Sequence, residues 1–312
     1  MNQNIPVLLC FDIEPYEKYA SVGESWNGFP QTVDLLSCFR ARLENASGAA
    51  VHFSWFVRMD PQVATLHGNA SWPVKKYLHQ FNALRAAGDE IGLHVHSWRL
   101  DGGGWYSDFQ NEEWILHCIE SSYETYREVF GSLPYAFRFG DRWIDDNTMN
   151  LVDSLGFQCD MTIEPGMVGF PVEAEKESLM RGKKPNYRNL PSRPYHPNRF
   201  DCHRAGTGQD ALRLWEIPIS TAPLEDTEYG KQGNTWYETM YLAHRADIVC
   251  AYINSVVSST TLKHIALLAR TDIGYPGFGR QNLETILEYF FNHPERKRFR
   301  FITANQMVSG LV

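Results

Sequence analysis

The chain has few features that would place it in a membrane or on a nucleic acid. No apolar run approaches the roughly 18 to 20 residues that a membrane-spanning helix needs. Asp and Glu number 37 against 29 Lys and Arg, so the 312 residues carry a formal net charge of −8, whereas nucleic-acid binders usually carry a basic surface. The opening MNQNIPVLLCFDIEP lacks the basic segment and the long apolar core of a secretory signal. We expect no membrane segment, no signal peptide and no nucleic-acid partner.

The sequence also lacks the patterns of a disulfide framework and of a dinucleotide-binding site. The six cysteines are scattered, with no CxxC and no close pair, which favours buried thiols in a reducing compartment over a disulfide framework. The loop DGGGWY at 101–106 lacks the strand, GxGxxG and helix context of a dinucleotide site. These patterns predict a cytoplasmic protein, and we do not interpret the 101–106 loop as a dinucleotide site.

Short apolar runs alternate with helical patterns along the whole chain. The predicted strands are 6–13, 50–59, 90–96, 135–140, 157–163, 212–220, 264–270 and 298–304. The predicted helices are 30–45, 73–87, 111–130, 145–155, 237–259 and 280–292. Strands that alternate with helices indicate parallel pairing through βαβ crossovers. With no linker in mid-chain, the pattern predicts one α/β domain over 1–312, a (β/α)7–8 barrel, with a long functional insertion near 164–210.

Titratable residues recur at the ends of the predicted strands. In a parallel α/β barrel, the active site collects at the carboxyl ends of the strands. We therefore expect the following residues to lie near the site: Asp12, Glu14, His94, His96, Arg138, Asp141, Asp160, Glu164, Glu216, Arg270 and Asp272.

The spacing within two of these strands predicts a metal site. Residues i and i+2 of a strand point to the same face, about 6.5 to 7 Å apart. Asp12 and Glu14 therefore share a face, as do His94 and His96. Two imidazoles and one carboxylate are typical ligands of a catalytic zinc ion, which keeps a position open for water. An HxH pattern alone is also consistent with two ordinary hydrogen-bonded histidines in a packed core.

Several motifs resemble the polysaccharide deacetylase family in the same order along nearly the whole chain. They are VLLCFDIEP, VHFSWFV, GDEIGLHVHSW, YAFRFGDRW with LVDSLGFQCDMTIEPG, LWEIPIS, and HIALLARTD with FRFITANQM. The resemblance implies a deformed (β/α) barrel that removes N- or O-acetyl groups from chitin-like sugars. Some members act on amides that are not sugars.

The resemblance also implies roles for individual residues. A metal-bound water would attack the amide or ester carbonyl, with Asp12 as the base and Arg138 steering that base. Glu14, His94 and His96 would hold a divalent metal, most simply zinc. On the substrate side we expect Trp98, Trp143, Glu216 and Arg270.

This sequence departs from the family pattern at three positions. The family's second histidine usually follows the first by four residues, where Trp98 stands, so His96 takes its place. Glu14 replaces the usual aspartate. Arg270 stands near the position of the late catalytic histidine, and an arginine cannot donate its proton at neutral pH. Asp272 is the nearest alternative acid, which makes it a third candidate catalytic residue.

The expected substrate is an acylated carbohydrate. The insertion places basic residues beside Tyr187 and Tyr195, a pattern of either a solvated loop or a site for an anionic sugar; they are Arg181, Lys183, Lys184, Arg188, Arg193, Arg199 and Arg204. Two other functions stay open. One is a glycoside hydrolase that pairs Asp12 or Glu14 with Glu216 or Asp272, and the other is a non-catalytic saccharide-binding barrel.

Overall fold

A computed structural model describes residues 4–16, 26–102, 104–168, 179–224, 236–259 and 264–311. The strands are β1 (Ile5–Ile13), β2 (Ser54–Arg58), β3 (Glu90–Val95), β4 (Trp98–Asp101), β5 (Gly104–Asp108), β6 (Ala136–Phe139), β7 (Cys159–Asp160), β8 (Met180–Arg181), β9 (Pro197–Asn198), β10 (Asp201–Ala205), β11 (Trp215–Glu216), β12 (Thr221–Leu224), β13 (Trp236–Thr239), β14 (Ile265–Arg270) and β15 (Phe299–Phe301). The α-helices are α1 (Gly28–Ser47), α2 (Pro61–His67), α3 (Trp72–Lys76), α4 (Leu78–Ala86), α5 (Glu112–Phe130), α6 (Asp146–Ser154), α7 (Ala246–Val257), α8 (Phe278–Asn292) and α9 (Ala304–Ser309).

The main sheet confirms the predicted fold class. Seven strands follow the order β11, β7, β6, β3, β2, β1 and β14, and β15 pairs with β1. This curled parallel sheet forms a half-barrel, consistent with a deformed (β/α)7–8 barrel. None of the helices in the described ranges combines the length and the apolar character needed to cross a membrane.

The chain divides into two compact units. Unit 1 comprises Met1–Trp55, Tyr77–Glu90 and Thr239–Val312. Unit 2 comprises Phe56–Lys76 and Ile91–Glu238. The expectation of one domain over 1–312 stays a prediction.

In unit 1, β1 is the centre of the core. Its residues from Val7 to Phe11 are fully buried, because β14 and β15 pair with β1 in parallel and helices such as α1 and α8 pack in the same unit. Strands buried on both faces have continuous apolar runs rather than alternating ones. The register aligns Asp12 with Arg270, so these two charged residues lie side by side at the carboxyl ends of β1 and β14.

In unit 2, four parallel strands carry the other predicted site residues. The register aligns His94 of β3 with Arg138 of β6, and Asp160 of β7 with Glu216 of β11. Helix α5 begins after Asn111, whose side chain accepts a hydrogen bond from the Trp114 backbone N–H, and ends at a left-handed glycine, as helix caps commonly do. The polar residues therefore lie at the carboxyl ends of the strands, as the sequence predicts.

Some predicted segments differ from the observed ones. The predicted helix 237–259 is wrong over its first nine residues, because β13 ends at Thr239 and α7 begins only at Ala246. The intervening backbone pairs with β14: Leu242 N–H donates to the Leu268 carbonyl at 2.7 Å, and Leu268 N–H donates to the Met240 carbonyl at 3.2 Å. The predicted helix 73–87 is broken at Tyr77 into α3 and α4, with Tyr77 at φ −111° and ψ 32°.

The predicted strand 157–163 is shortened to β7 by side-chain hydrogen bonds. Thr162 Oγ1 accepts from the Phe139 backbone N–H at 2.7 Å, and Asp160 Oδ2 accepts from the Thr162 N–H at 3.0 Å. Side-chain oxygens thus occupy backbone donors that a longer ladder would use. The predicted insertion 164–210 contains β8, β9 and β10, and its residues 169–178 lie outside the described residues.

Candidate metal centre

His94 and His96 lie at the carboxyl end of β3 with their rings in contact. They are 1% and 2% exposed, and their Nε2 atoms are 3.1 Å apart. The i, i+2 spacing on a strand puts both side chains on one face. The predicted pairing of the two imidazoles is therefore present within unit 2.

The partner of His94 orients its ring. His94 Nδ1 lies 3.0 Å from the carbonyl oxygen of Arg138, its neighbour across the β3–β6 register. A carbonyl only accepts hydrogen bonds, so the Nδ1 of His94 carries a hydrogen. A neutral His94 ring then presents its Nε2 lone pair, which is the form that binds a metal.

His96 has a denser set of neighbours. Its Nδ1 lies 3.0 Å from Asp141 Oδ2 and 3.1 Å from the indole Nε1 of Trp98. Its backbone N–H donates to Asp60 Oδ2 at 3.3 Å. A Cβ on Gly140 would lie 2.1 Å from the His96 ring, so only glycine fits there.

Asp60 connects this region to the start of α2. Arg58 donates to its carboxylate from Nε at 2.8 Å and from Nη2 at 3.0 Å. The same carboxylate caps α2 by accepting from the backbone N–H groups of Gln62 and Val63. Because Arg58 and Asp60 are almost fully buried, this bidentate pair holds the end of β2 and the first turn of α2 in a fixed arrangement.

In unit 1, Glu14 is held by Arg270. Arg270 Nε lies 2.5 Å from Glu14 Oε1, and Arg270 Nη2 donates to the carbonyl oxygens of Pro15 and Tyr16 at 2.7 and 3.2 Å. Burial alone would lower the pKa of Arg270, but the charges of Glu14 and Asp272 outweigh it and raise that pKa. Arg270 therefore stays a cation.

Asp272 lies beside the same cation. Its Oδ2 is 3.9 Å from Arg270 Nη1, and its side chain is 22% exposed. Burial raises the pKa of Asp272, the Arg270 guanidinium opposes this, and Glu14 adds to the increase. The Tyr241 hydroxyl accepts from the Arg270 backbone N–H at 2.8 Å and places a buried phenol next to both residues. At the end of β14 in unit 1, the Arg270 cation therefore lies beside the carboxylates of Glu14 and Asp272 and the phenol of Tyr241.

Both units hold buried side chains of the kind that bind a metal ion. His94 and His96 offer imidazole nitrogens in unit 2, and Glu14 offers a buried carboxylate in unit 1. Two imidazole nitrogens and a carboxylate oxygen match the donor set of a catalytic zinc site. The residues present therefore fit the implied metal by donor type and by burial.

Arg138 is bound on the β7 side of unit 2. Its Nη1 donates to the Met161 carbonyl at 2.6 Å, and its Nη2 lies 3.6 Å from Glu164 Oε1. Arg142 approaches the second oxygen of Glu164 at 3.6 Å. These contacts fix the guanidinium, and its role in steering Asp12 stays a prediction.

Asp160 and Glu216 form a buried pair of acids that sequence reasoning did not pair. Both are fully buried and adjacent in the β7–β11 register. Burial raises the pKa of each, and the neighbouring Asp160 raises that of Glu216 further. Ionisation of both groups at once is therefore disfavoured, which is typical of two carboxyl groups in one site.

The residues predicted to contact substrate are mostly enclosed. Trp98, Trp143 and Glu216 are at most 4% exposed, while Arg270 is 23% exposed. Trp143 stacks on Phe109 with ring centroids 5.5 Å apart, and both border a surface cavity of about 850 Å³. Their substrate-binding roles stay predictions.

Two basic residues of the insertion are paired with acids. Arg181 stacks over the Tyr106 ring at 3.6 Å and lies 3.2 Å from Asp101. Arg204 lies 2.7 Å from Asp201. These ion pairs do not test whether the surface binds an anionic substrate, which stays a prediction.

Sequence reasoning missed the hairpin β4–β5, which supplies neighbours of His96. Trp98 pairs with Ser107 across the hairpin, and Ser107 Oγ donates to Asp141 Oδ2 at 2.8 Å. The signal was present in the sequence, because SWRLD and GWYSD flank two consecutive glycines. Asp141 itself was expected near the site but without a role.

Comparison with known proteins confirms the predicted deacetylase-type fold. No protein-family model matches the sequence, and no curated protein matches it. A provisionally assigned polysaccharide deacetylase from Mycobacterium smegmatis superposes with a TM-score of 0.58 at 15% identity, over 99% of this chain and 91% of that one. A similarly assigned polysaccharide deacetylase from Pseudomonas aeruginosa PAO1 gives 0.54 at 15% identity, over 99% and 91%. PuuE allantoinase gives 0.53 at 14% identity, over 98% and 90%.

Proposed function

We propose that the protein is a metal-dependent hydrolase that removes an acyl group, such as acetyl, from a sugar or polysaccharide. The buried, contacting imidazoles of His94 and His96 at the end of β3 are the observation that carries this proposal, and Glu14 is the proposed third ligand. The deacetylase and allantoinase neighbours support it at the level of fold alone, since their identities to this chain are 14–15%. Fold similarity does not imply function, so the site has to carry the argument.

Zinc is the proposed metal. When bound at these ligands, a divalent metal lowers the pKa of a coordinated water and polarises the scissile carbonyl. His94 is already oriented by the Arg138 carbonyl to present its Nε2. Glu14 has one carboxylate oxygen beside Arg270 and a second, buried oxygen, Oε2, as the proposed ligand atom.

Asp12 is the proposed general base. It lies two residues before Glu14 on β1, so both carboxylates share one face of the strand, and it is 4% exposed. A buried carboxylate two residues from the proposed ligand Glu14 is a suitable acceptor for a proton from water, which supports this role. Arg138 is the proposed partner that steers it.

The leaving group sets a further constraint. Arg270 cannot supply a proton, and Asp272 is the proposed acid because burial raises its pKa. The neighbouring Arg270 opposes that increase. An alkoxide leaves more readily than an amine without protonation, so we propose that esters are cleaved faster than amides.

The proposed substrate is an acylated carbohydrate, with an anionic sugar as one option. Trp98, Trp143, Glu216 and Arg270 are the proposed substrate residues. The proposed location is the cytoplasm, which the dispersed cysteines support.

Elemental analysis and an assay on acetylated sugars test the proposal together. We expect one divalent ion per chain in the wild type, no metal in the variant with His94→Ala and His96→Ala, and retained metal in His117→Ala. His117 is an exposed histidine on α5 and serves as the matched control. Acetate release should require the metal. The proposal is wrong if the wild type binds no stoichiometric metal, or if metal-loaded protein releases no acetate from any of the sugars.

One observation favours a second function, a saccharide-binding protein without turnover. Arg270 stands where the family pattern has its catalytic histidine, and it pairs with Glu14 at 2.5 Å. A cation on that carboxylate weakens the case for a metal. Titration calorimetry with acetylated oligosaccharides separates the two functions, since binding without acetate release would favour the non-catalytic one. Release of reducing sugar in the presence of a chelator would instead indicate a glycoside hydrolase.

A further inference from the structure

The Nδ1 atom of His96 faces two groups with opposite hydrogen-bonding requirements. Asp141 Oδ2, at 3.0 Å, accepts hydrogen bonds as a carboxylate, whereas the Trp98 indole Nε1–H, at 3.1 Å, only donates. In a neutral imidazole, one ring nitrogen is a donor and the other an acceptor. His96 Nδ1 therefore satisfies Asp141 in one tautomer and Trp98 in the other.

His94 selects the tautomer of His96 when no metal is bound. The Nδ1–H of His94 donates to the Arg138 carbonyl, so its Nε2 carries a lone pair in the neutral ring. The Nε2 atoms of the two rings are 3.1 Å apart, a distance that requires one hydrogen between them. In a neutral His96 ring that hydrogen belongs to Nε2, which leaves Nδ1 to accept from Trp98.

The surroundings of Asp141 favour the other tautomer of His96, in which Nδ1 carries the hydrogen. Ser107 Oγ donates to Asp141 Oδ2 at 2.8 Å and fixes the carboxylate. Asp141 and Arg142 have φ values of 55° and 57°, a left-handed conformation that is uncommon outside glycine. Two such residues in succession carry backbone strain, which clusters at functional sites. The side chain of Asp141 is only 4% exposed.

Gly140 completes this arrangement. A Cβ at this position would lie within 2.1 to 2.3 Å of three atoms of the His96 ring. Gly140 thus leaves space for the His96 ring, and the next residue, Asp141, places its carboxylate beside His96 Nδ1. A carboxylate on the far nitrogen of a metal-binding histidine fixes the tautomer whose Nε2 lone pair faces the metal.

We propose that Asp141 is a positioning residue for metal binding by His96, and that Trp98 competes with it for the same ring nitrogen. Metal binding exchanges the Trp98-to-His96 hydrogen bond for one from His96 to Asp141. The hydrogen on the ring moves from Nε2 to Nδ1, and no oxidation or net proton transfer to solvent accompanies the exchange. This inference rests on the proposed metal-dependent function.

Two substitutions should change metal affinity in opposite directions. Asp141→Asn keeps the side-chain size, and asparagine tolerates a left-handed backbone. Its amide can turn to donate to Nδ1, which favours the tautomer that does not bind metal, so zinc affinity should fall about 10- to 100-fold. Trp98→Phe removes the competing N–H and should tighten zinc binding several-fold.

Matched controls are available in the same unit. Trp114→Phe removes an indole N–H that donates to the Ser97 carbonyl rather than to a histidine. Asp153→Asn removes a carboxylate that accepts from the backbone N–H groups of Arg213 and Leu214. Neither control should change zinc affinity by more than about twofold. The thermal stability of each metal-free variant measures any purely structural effect.

Long-range ¹H–¹⁵N spectra of the full chain with labelled histidine provide the direct readout. At about pH 8, where an unperturbed histidine is neutral, His96 should carry its hydrogen on Nε2 in the metal-free protein and on Nδ1 with zinc. Signals are assigned by their absence in His96→Gln. A metal-free ring already protonated on Nδ1, or Asp141→Asn with wild-type zinc affinity, would overturn the inference alone. A wild type that binds no zinc would overturn the proposed function as well.

Discussion

The Nε atom of Arg270 lies 2.5 Å from the Oε1 atom of Glu14, so a cation already contacts the carboxylate proposed to bind the metal. Glu14 is 4% exposed and Arg270 is 23% exposed. Removing one partner of a buried ion pair leaves the other charge without compensation. This relationship connects the stability of unit 1 to the chemistry proposed for it.

Substituting Arg270 should therefore make the stability of the protein depend more strongly on bound metal. Arg270→Gln should lower the free energy of unfolding by about 1 to 3 kcal/mol, less than the roughly 3 to 5 kcal/mol of a fully buried pair. Added zinc should raise the melting temperature more in this variant than in the wild type, because a second cation replaces the lost charge. Arg245→Gln, which removes an exposed ion pair with Asp247, is the control. Equal stabilisation by zinc in both proteins would contradict the prediction.

Asp12→Asn tests the proposed base. The amide cannot accept a proton from water, so turnover should fall by about 10² to 10⁴-fold. Metal content should be unchanged, since Asp12 is not among the proposed ligands. Steady-state kinetics and elemental analysis on the same preparation measure both. Full activity in Asp12→Asn would exclude this residue as the base.

Matched O-acetyl and N-acetyl sugars test the leaving-group argument. We expect faster hydrolysis of the ester, because Arg270 cannot protonate a departing amine. Asp272→Asn should reduce any amide cleavage, and Asp247→Asn, a change at an exposed aspartate, should not. Amide cleavage that is faster than ester cleavage and insensitive to Asp272→Asn would rule out both the ester preference and the acid role.

The buried carboxyl group of Glu90 should make the stability of the protein depend on pH, independently of the proposed metal site. Burial raises the pKa of Glu90 from 4.5 to about 7, against opposing hydrogen bonds from Asn305, Ser54 and Ala304. Between these values the folded state holds a proton that the unfolded state has released, so the free energy of unfolding falls as pH rises. The loss is at most about 3 kcal/mol and is complete above about pH 7.

Glu90→Gln should remove this contribution. The variant keeps an oxygen that can accept from Ser54 and from the Asn305 backbone N–H. Denaturant unfolding at several pH values should show that the stability of the wild type relative to Glu90→Gln declines from about pH 4.5 to about pH 7. A difference that stays constant over this range would refute the predicted shift.

Much of the fold could be predicted from local patterns. The predicted strand 6–13 corresponds to Ile5–Ile13, and the predicted helix 111–130 corresponds to Glu112–Phe130. Both have strong periodic or continuous apolar patterns, and the helix has clear caps. The predicted helix 237–259 failed in its first part because pairing of Met240 and Leu242 with β14 outweighed local helical preference.

The site could be predicted only in part. The i, i+2 spacing of His94 and His96 is a local property of a strand, and the structure brings their Nε2 atoms within 3.1 Å. The pairs Arg270 with Glu14 and Asp160 with Glu216 depend on which strands become neighbours. Strand order is set by packing across the whole chain, so no local pattern predicts these contacts. The left-handed backbone of Asp141 likewise has no sequence signature such as glycine.

The contact between Gly140 and the His96 ring makes the two positions genetically interdependent. The obstacle to any larger residue at 140 is the imidazole, whose atoms would lie 2.1 to 2.3 Å from a Cβ. A lineage that keeps His96 is therefore confined to glycine at position 140, and one that loses the ring becomes free to replace that glycine. Return of the histidine would then be blocked by the new side chain. The loss of this proposed ligand would thus be difficult to reverse in evolution.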